Sequence, residues 1–498
     1  MTDRTEGYVT DVGYTHDYCH ELNPLRARLA LLNAGMSAPE VATACELGFG
    51  QGLSLNIHAA ASPADWYGTD INTSHAGFAR NLASASGATV EILDEAFGDF
   101  ANRPDLPDFD YIGLRGVWSW ISDRNRVVIV DFIRRKLRTG GIVYLDYNAL
   151  PGWAAFSPMR HLLVEHANRG GASDRGTAAR VDDAMAFAAR LLSTHPEYAK
   201  DNPQILDRIK TLSGEDRRYV AHEYFNRDWV PMHFSTVAEW LKPARVDYAG
   251  SANFSDHLDA LNLSNAQREL LEEIHDPVLR QSTRDFIINR TFRHDYWIRG
   301  AQMLSAPARA EALRKVRVML VTRSPELPFQ LHAALALHRN SFGAATHAAV
   351  LEILVDYKVR SIGELEQAIG RKGISLGQIV DAVTFMAGLE HIAAAQDETV
   401  IARVRPHTDR LNAHLIERAR TSGDIADLAS PVTGGGVRVR RTHQLFLSAL
   451  RQGRARPEEW ADDASKFLVS KQTDPSLIDD ARAFAAEKLP LLRALQVV

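Results

Sequence analysis

The chain of 498 residues is poor in cysteine and contains only Cys19 and Cys45. Two thiols cannot build a disulfide framework, and their separation does not match the spacing of cysteine motifs that bind metals. A low cysteine content is typical of proteins from reducing compartments. We therefore expect a cytoplasmic protein.

Long apolar runs and blocks of like charge are also missing. No stretch approaches the run of about eighteen apolar residues that a transmembrane helix needs, and the N-terminal region lacks the apolar segment of a secretory signal. The formal net charge is -5, from 57 basic and 62 acidic residues that are interspersed along the chain. We therefore expect neither a membrane nor nucleic acid as a partner.

Short apolar segments alternate with helix-like stretches between Val41 and Asn148. The candidate strands are VATACELG, ADWYGTD, TVEIL, FDYIGL and GIVYLDY. This alternation is typical of a doubly wound parallel sheet in an α/β protein, in which ligands bind at the carboxyl ends of the strands. We therefore expect the chemistry of the protein to lie where these five segments end.

The residues after Asn148 predict additions to this sheet. Residues 155–220 are rich in Ala and Arg and predict a helical insertion. The segments RVDYAGSANF and TFRHDYWIRG are later strand candidates, separated by the long helical stretch SNAQRELLEEIHDPVLRQSTRDFIIN. Two such strands would complete a seven-stranded sheet, so we expect a first domain over residues 1–300.

The rest of the chain predicts accessory domains, at residues 301–400 and 401–498. The apolar spacing between Ser361 and Ala395 is typical of a helix-turn-helix or winged helix. No Lys or Arg occurs from Ser375 to Ile392, which favours a packing or substrate-docking role over DNA binding. We expect mostly helix after residue 401, with SPVTGGGVRVRR as a mobile loop entering an edge strand, or alternatively as an anion site.

A glycine-rich turn carries the strongest local signal. In ACELGFGQGLSLNIHAA, Glu46 precedes Gly48, Gly50 and Gly52 at the predicted turn from the first strand into a helix. Glycine allows a ligand to approach the backbone amides closely. Asp70 ends the next predicted strand, where an acid can bind both hydroxyls of a ribose. The pair predicts a cofactor that contains adenosine.

The spacing of the motif separates two such cofactors. Nicotinamide dinucleotides are bound by G-x-G-x-x-G, whereas this chain has G-x-G-x-G with an acid upstream. An acid at Glu46 would repel a pyrophosphate, but it suits the ammonium group of S-adenosylmethionine. The motif therefore favours S-adenosylmethionine, with a dinucleotide enzyme and a glycine turn without a ligand as the alternatives.

Five segments in order resemble a known family. They are ACELGFGQGLSLN, FDYIGLRGVWSWIS, LDYNALPGW, YVAHEYFN and TRDFIINRTFR. Together they are similar to the class I methyltransferases with an attached methyltransferase regulatory domain, a group that includes the rickettsial-type protein lysine methyltransferases. The resemblance covers residues 10–300 and extends more loosely to SPVTGGGVRVRRTHQLFL. It implies a Rossmann-like seven-stranded sheet and S-adenosylmethionine as cofactor.

The resemblance also implies a set of cofactor-binding residues. It assigns Asp94 to the adenine amino group, with Ala96 and Phe97 packed on the ring. Arg115 stands where the family has His, and Asp146 where it has Ser. Tyr14, with Tyr18 and His20, would form an N-terminal lid, unless this segment only docks a helix. The complete predicted set is Glu46, Gly48, Gly50, Gly52, Asp70, Ile71, Asp94, Ala96, Phe97, Arg115 and Tyr14.

A second set is implied around the methyl acceptor. Its members are Tyr147, Asn148, Trp118, Trp153, His222, Glu223 and Tyr224. The alternative for the tryptophans, including Trp120, is core packing, and the alternative for His222 and Glu223 is a surface pair at a helix end. HEYF lacks a second His at metal-ligand spacing, so we expect no metal.

These expectations lead to one functional hypothesis with two alternatives. The chain is expected to methylate a protein side chain, and the resemblance implies lysine. One alternative is methylation of a small molecule or peptide natural product, in which the C-terminal half dimerises, giving a homodimer, or caps the site. The other alternative is a catalytically idle regulatory protein.

Overall fold

The computed structural model describes residues 7–9, 12–170, 176–322, 343–370, 373–468 and 475–498. Arg371 and Lys372, which belong to the predicted winged-helix segment, lie outside these ranges. All residues of the two predicted site sets lie inside them.

A mixed sheet of seven strands organises the first 300 residues. Its strands are β1 (Thr43–Leu47), β2 (Asp65–Thr69), β3 (Val90–Leu93), β4 (Phe109–Leu114), β5 (Leu137–Asn148), β6 (Val246–Ser251) and β7 (Phe292–Arg299). Their spatial order is β3-β2-β1-β4-β5-β7-β6. Strands β1 to β5 are parallel, and β7 runs antiparallel between β5 and β6. The predicted seven-stranded sheet is confirmed, including the two late strands.

Helices account for most of the remaining described residues. In chain order they are α1 (Pro24–Asn33), α2 (Leu53–Ala61), α3 (Thr73–Ser86), α4 (Phe97–Ala101), α5 (Asp123–Lys136), α6 (Ser157–Arg169), α7 (Thr177–Ser193), α8 (Glu197–Asp201), α9 (Gln204–Gly214), α10 (Arg217–Tyr224), α11 (Phe234–Leu241), α12 (Asp259–Asn262), α13 (Asn265–Glu272), α14 (Pro277–Ile287), α15 (Ala306–Arg314), α16 (Ala344–Leu354), α17 (Ile362–Ile369), α18 (Leu376–Gly388), α19 (Glu398–Arg418), α20 (Arg441–Arg451), α21 (Pro457–Ser465), α22 (Pro475–Ala483) and α23 (Leu489–Ala494).

The sheet is covered on both faces, which explains why its central strands β1 and β4 are almost fully buried. Helices α1, α2 and α3 pack on one face, where Ile142 and Tyr144 of β5 belong to their apolar cluster. Helices α4, α5 and α11 pack on the other face, together with Val143, Leu145 and Tyr147. Alternate residues of β5 therefore point to different helical layers.

One predicted helical stretch is interrupted. The segment between β6 and β7 was expected to be one long helical stretch, but α13 ends at Glu272 and α14 begins at Pro277. The side chain of Asp276 accepts a 2.7 Å hydrogen bond from the amide of Leu279 and caps the new helix. Proline at the first helical position lacks the amide that the preceding turn would need, so the helix restarts there.

Helices α6 to α10 lie between β5 and β6, where the helical insertion is predicted, and they continue to Tyr224. They enclose an apolar cluster of their own, in which Trp153 and Phe156 from the start of the insertion pack with Tyr224 and Trp229 from its end. The insertion is therefore a separately packed layer above the carboxyl end of β5.

The region after residue 300 begins with helices α15 to α18 and a small antiparallel sheet. Its strands are β8 (Arg317–Leu320), β9 (Arg360–Ser361) and β10 (Ile392–Ala395), in the order β10-β8-β9. Helix α18 is largely buried and packs on the Phe254–His257 turn that follows β6. The winged-helix interpretation of this region stays a prediction, as do the domain boundaries.

The C-terminal region is mostly helical and packs on the first domain. Leu411 and Leu415 of α19 share an apolar cluster with Leu53 and Ile57 of α2. Strands β11 (Asp427–Ser430) and β12 (Gly435–Arg438) form an antiparallel hairpin. Among the described residues, no helix has both the length and the apolar character needed to cross a lipid bilayer.

The hairpin corrects the interpretation of SPVTGGGVRVRR as a mobile loop. Residues 430–435 are buried, and the aromatic ring of Tyr18 packs against the backbone of Gly435 and Gly436. A Cβ atom on Gly436 would lie 2.8 Å from the ring of Tyr18. The glycines are therefore needed for close packing on the N-terminal segment.

Candidate active site

A cleft lies at the carboxyl ends of β1, β2, β3 and β4. The N-terminal segment and the turn after β4 complete its walls. Its lining residues are Tyr8, Tyr14, Asp17, Glu46, Gly48, Phe49, Gly50, Ser54, Asp70, Ile71, Glu95, Ala96, Phe97, Arg115, Gly116, Val117, Trp120, Ile121 and Asn125. We call this cleft the main cavity.

The glycine-rich turn forms the floor of the main cavity. Gly48, Gly50 and Gly52 have φ angles of +71°, +58° and +70°, in the left-handed region that favours glycine. A Cβ atom on Gly52 would lie 2.6 Å from the Cβ atom of Ala79 on α3. The backbone therefore passes close to its neighbours in a conformation that a larger residue would strain.

Asp70, at the end of β2, is anchored by the turns on both sides of it. Its Oδ2 atom accepts a 2.8 Å hydrogen bond from the amide of Gly50, and its Oδ1 atom accepts one of 2.9 Å from the amide of Asn72. The Nδ1 atom of His75 lies 3.3 Å from Oδ1. These contacts hold the carboxylate at the wall of the main cavity, where it is 9% exposed.

Glu46, at the end of β1, is a buried carboxyl in the lining of the main cavity. Its side chain is 2% exposed, and its Oε2 atom has no hydrogen-bond partner. Burial raises the pKa of Glu46 to about 8, although the nearby guanidinium of Arg115 opposes this effect. A buried carboxyl that lacks a partner is suited to a cationic ligand.

The end of β3 places Asp94 differently from the prediction. The Asp94 carboxylate lies 2.6 Å from the guanidinium of Arg80, which lowers its pKa, and it does not line the main cavity. Glu95, Ala96 and Phe97 line the cavity instead. Thr69 donates a 2.6 Å hydrogen bond to the carbonyl of Glu95, which fixes this turn against the end of β2.

Arg115 and Asp146, the two departures from the family motif, are neighbours of opposite charge. The Oδ1 atom of Asp146 accepts a 2.6 Å hydrogen bond from the amide of Gly116, directly after Arg115. Burial raises the pKa of Asp146, while His294, the Gly116 amide and Arg115 oppose this effect. The pKa of Arg115 is raised despite its burial, because Tyr14, Cys19 and Asp146 favour its charged form. The cation at Arg115 therefore offsets the acid at Asp146.

The N-terminal segment closes one side of the main cavity with Tyr8 and Tyr14. His222 of α10 contacts both rings, at centroid distances of 5.4 and 5.0 Å. Tyr18 and His20, the other members of the predicted lid, do not line the main cavity. They line a second cavity between α1, β10 and the β11-β12 hairpin.

Glu223 of α10 contacts the lining residue Trp120, although its own side chain does not line the main cavity. Its backbone carbonyl accepts a 3.0 Å hydrogen bond from the indole of Trp120. Burial raises the pKa of Glu223 to about 7, and the nearby side chain of Asn148 opposes this effect. The charge of Asp146 also acts on Glu223 and raises its pKa. Asn148, Glu223 and Asp146 are therefore grouped where β5 meets the helical insertion.

The other residues predicted at the acceptor site lie in packed surroundings. The Tyr147 hydroxyl donates a 3.0 Å hydrogen bond to Asp295, on the face of β5 opposite Asp146. Trp118 belongs to that same layer. Trp153 and Tyr224 pack in the core of the insertion, with ring centroids 6.0 Å apart. The roles predicted for these four residues stay predictions.

Several lining residues were missed by the sequence reasoning. They are Tyr8, Asp17, Phe49, Ser54, Glu95, Gly116, Val117, Trp120, Ile121 and Asn125. Glu95 is one residue from the predicted Asp94. The expectation that ligands bind where a strand ends therefore identifies the correct turn but not the correct side chain. In the described parts of the chain, no group of three or more His, Cys, Asp or Glu side chains could hold a metal ion.

Comparisons with known proteins agree with this geometry. Residues 216–299 match the model of a family described as a predicted methyltransferase regulatory domain. An uncharacterized protein of Synechocystis sp., sll1526, is 34% identical over 508 residues, which cover 99% of each chain. An uncharacterized protein of Rickettsia prowazekii, RP789, is 26% identical over 54% of this chain and 49% of its own.

The fold also matches a solved structure. PKMT2 from Rickettsia typhi, in complex with AdoHcy, covers 96% of this chain and 98% of its own with a TM-score of 0.66 and 17% identity. Together the sheet order and the site define an S-adenosylmethionine-dependent methyltransferase of class I. The chain belongs to the same family as sll1526, the methyltransferases of this class that carry a methyltransferase regulatory domain.

Proposed function

We propose that the chain transfers the methyl group of S-adenosylmethionine to the side-chain amine of a lysine in a protein substrate. The observation that carries this proposal is the pair of buried carboxyls, Glu223 and Asp146, each of which belongs to a residue that is hydrogen-bonded to a lining residue of the main cavity. Two acids in such surroundings are suited to a cationic acceptor. The fold likeness to the rickettsial protein lysine methyltransferase PKMT2 supports the same substrate class.

The residues of the main cavity fit the cofactor. Glu46, with its free Oε2 atom, would hold the ammonium group, and Asp70 would accept hydrogen bonds from the ribose hydroxyls. Ala96 and Phe97 would pack on the adenine ring. When bound, S-adenosylmethionine supplies a methyl group on a positively charged sulfur.

The acceptor must lose a proton before its nitrogen can attack the methyl group. With a reference pKa near 10.4, deprotonating a lysine at pH 7 costs about 4 to 5 kcal/mol. A carboxylate within hydrogen-bonding reach and a dry, aromatic surrounding both lower this cost. Glu223 and Asp146 are the groups that we propose for binding the ammonium and taking its proton.

The attack is an in-line displacement, so it depends on orientation and on the exclusion of water. The side-chain amide of Asn148, which acts on Glu223 and has no hydrogen-bond partner of its own, would orient the carboxylate that binds the acceptor. Tyr14 and Trp120 would exclude water from the rim. The helical insertion, which supplies Glu223, would therefore couple acceptor binding to the closure of the site.

The large C-terminal half favours a protein acceptor over a small molecule. It packs on α1 and α2 of the first domain, and an enzyme that acts on a small molecule would not need so large an addition. We propose that this half, including its winged-helix-like region, acts as a docking module.

The proposal is tested with labelled methyl donor. The purified chain is incubated with S-adenosylmethionine labelled in its methyl group and a fractionated lysate. We expect label in protein, released as methyl-lysine on complete hydrolysis. Label confined to the small-molecule fraction, or protein label on another residue type, would reject the lysine proposal.

A further inference from the structure

A hydrogen-bonded path leaves the acceptor site through the sheet. Asp146 on β5 is the register partner of His294 on β7. The Tyr144 hydroxyl lies between them, 3.2 Å from Oδ2 of Asp146 and 3.0 Å from Nδ1 of His294. Tyr144 is fully buried, so its hydroxyl is held between these two groups. A hydroxyl can donate one proton while it accepts another.

The path continues outward through the N-terminal segment. Nδ1 of His294 lies 3.9 Å from Oε1 of Glu21, which lies 3.4 Å from Nε2 of His20. The side chains of His294 and His20 are 30% and 36% exposed. The two histidines on the flanks of Glu21 lower its pKa to about 2, against the effect of burial, so Glu21 is an anion at neutral pH. The outer end of the path therefore reaches solvent beside a fixed negative charge.

The inner end is sealed from water. Asp146 is only 4% exposed, and its Oδ1 atom is held by the amide of Gly116, a residue that lines the main cavity. A proton taken up by this carboxyl cannot pass directly to bulk water. Of the two carboxyls near the acceptor, Asp146 is the one that continues into the path through Tyr144.

We propose that Asp146, Tyr144 and His294 form a relay that carries the proton of the acceptor from the site to solvent. This inference rests on the proposed function, because an amine acceptor has to lose a proton. An N–H bond of the acceptor ammonium breaks, and its proton moves to the Asp146 carboxylate. Asp146 then gives a proton to the Tyr144 oxygen while Tyr144 gives its own to Nδ1 of His294. The imidazolium beside Glu21 releases its Nε2 proton to solvent.

The relay is tested by variants that keep size but interrupt proton transfer. Tyr144→Phe removes the hydroxyl, and His294→Gln keeps a hydrogen-bonding side chain that cannot carry the proton. Tyr111→Phe is the matched control, because Tyr111 is a buried tyrosine on β4 whose hydroxyl has no hydrogen-bond partner. Thermal unfolding of each variant shows whether its fold is intact.

We expect Tyr144→Phe and His294→Gln to lower kcat by about tenfold or more and to leave KM unchanged. The kcat of Tyr111→Phe should stay close to that of the unmodified chain. Since His294 is partly exposed, added imidazole should restore His294→Ala but not Tyr144→Phe. Full activity of folded His294→Gln and Tyr144→Phe would overturn the relay, and so would a failure of imidazole to restore His294→Ala. Absence of methyl transfer by the unmodified chain would instead overturn the proposed function, and the relay with it.

Discussion

The amide of Gly50 donates a 2.8 Å hydrogen bond to the Oδ2 atom of Asp70. This bond joins the glycine-rich turn after β1 to the end of β2. The two sequence features that predict an adenosine cofactor are therefore parts of one structural unit. A substitution at either residue should therefore alter the position of the other.

Replacing Asp70 with Ala should weaken S-adenosylmethionine binding by about tenfold or more, because it removes charge-assisted hydrogen bonds to the ribose and the anchor of Gly50. Equilibrium dialysis with labelled cofactor measures the dissociation constant. Asp65→Ala, at the exposed start of the same strand, is the control. Equal affinities in the two variants would argue against Asp70 as a cofactor residue.

Replacing Gly52 with Ala should destabilise the fold. The left-handed φ of +70° and the short approach to Ala79 each oppose a Cβ atom, and together they should lower the free energy of unfolding by about 2 kcal/mol or more. Gly98→Ala is the control, since no other heavy atom lies within 4 Å of the added Cβ and the residue sits in α4. Urea unfolding compares the two variants, and equal midpoints would contradict this account of the turn.

Replacing Arg293 with Met should destabilise the side of the sheet opposite Asp146. Arg293 lies 2.7 Å from Asp285 and 2.8 Å from Asp295, and all three side chains are buried. Asp295 would be left without its cation, and Asp285 would keep only Arg290, at 3.8 Å. This loss should cost about 3 to 5 kcal/mol of unfolding free energy. Arg280→Met, on the exposed surface of α14, should stay near the stability of the unmodified chain. If the urea-unfolding midpoint of Arg293→Met equalled that of the unmodified chain, this network would contribute little to the stability of the fold.

The sheet and the cofactor turn could be predicted because their signals are local. Glu46, the glycines and Asp70 end apolar strands, and the parallel arrangement brings strand ends together at one edge. The seven-stranded sheet, which was predicted from single strands and the turns that follow them, is confirmed.

The face of a buried strand could not be predicted in this way. Strand alternation puts Tyr144 and Asp146 on one face of β5 and Tyr147 on the other. Because helices cover both faces, nothing local shows which face meets which helical layer. Tyr8 and Trp120 reach the main cavity only through packing of the N-terminal segment and the turn after β4. Such contacts depend on the whole fold.

The pH dependence of catalysis should report Glu223. Burial raises its pKa to about 7, so the fraction of carboxylate that can bind an ammonium group increases as the pH rises toward that value. We expect kcat/KM for the acceptor, measured at saturating S-adenosylmethionine, to rise about tenfold per pH unit well below pH 7 and to level off above it. Glu223→Gln should lower kcat/KM and remove this inflection.

The control for this profile is Glu215→Gln, an exposed acid that precedes α10. It should reproduce the activity and the inflection of the unmodified chain. An inflection near pH 7 that persists in Glu223→Gln would assign it to another group.

The central claim, that the main cavity binds S-adenosylmethionine through Glu46, is tested most directly by calorimetry in buffers of different ionisation heat. With a pKa raised to about 8, Glu46 is largely protonated in the free protein at pH 7, and an ammonium ligand favours its carboxylate. We predict that S-adenosylmethionine binds at one site and that binding releases about one proton at pH 7. Glu46→Gln should abolish this proton release. Absence of binding, or a binding heat that does not change with the buffer, would contradict the account.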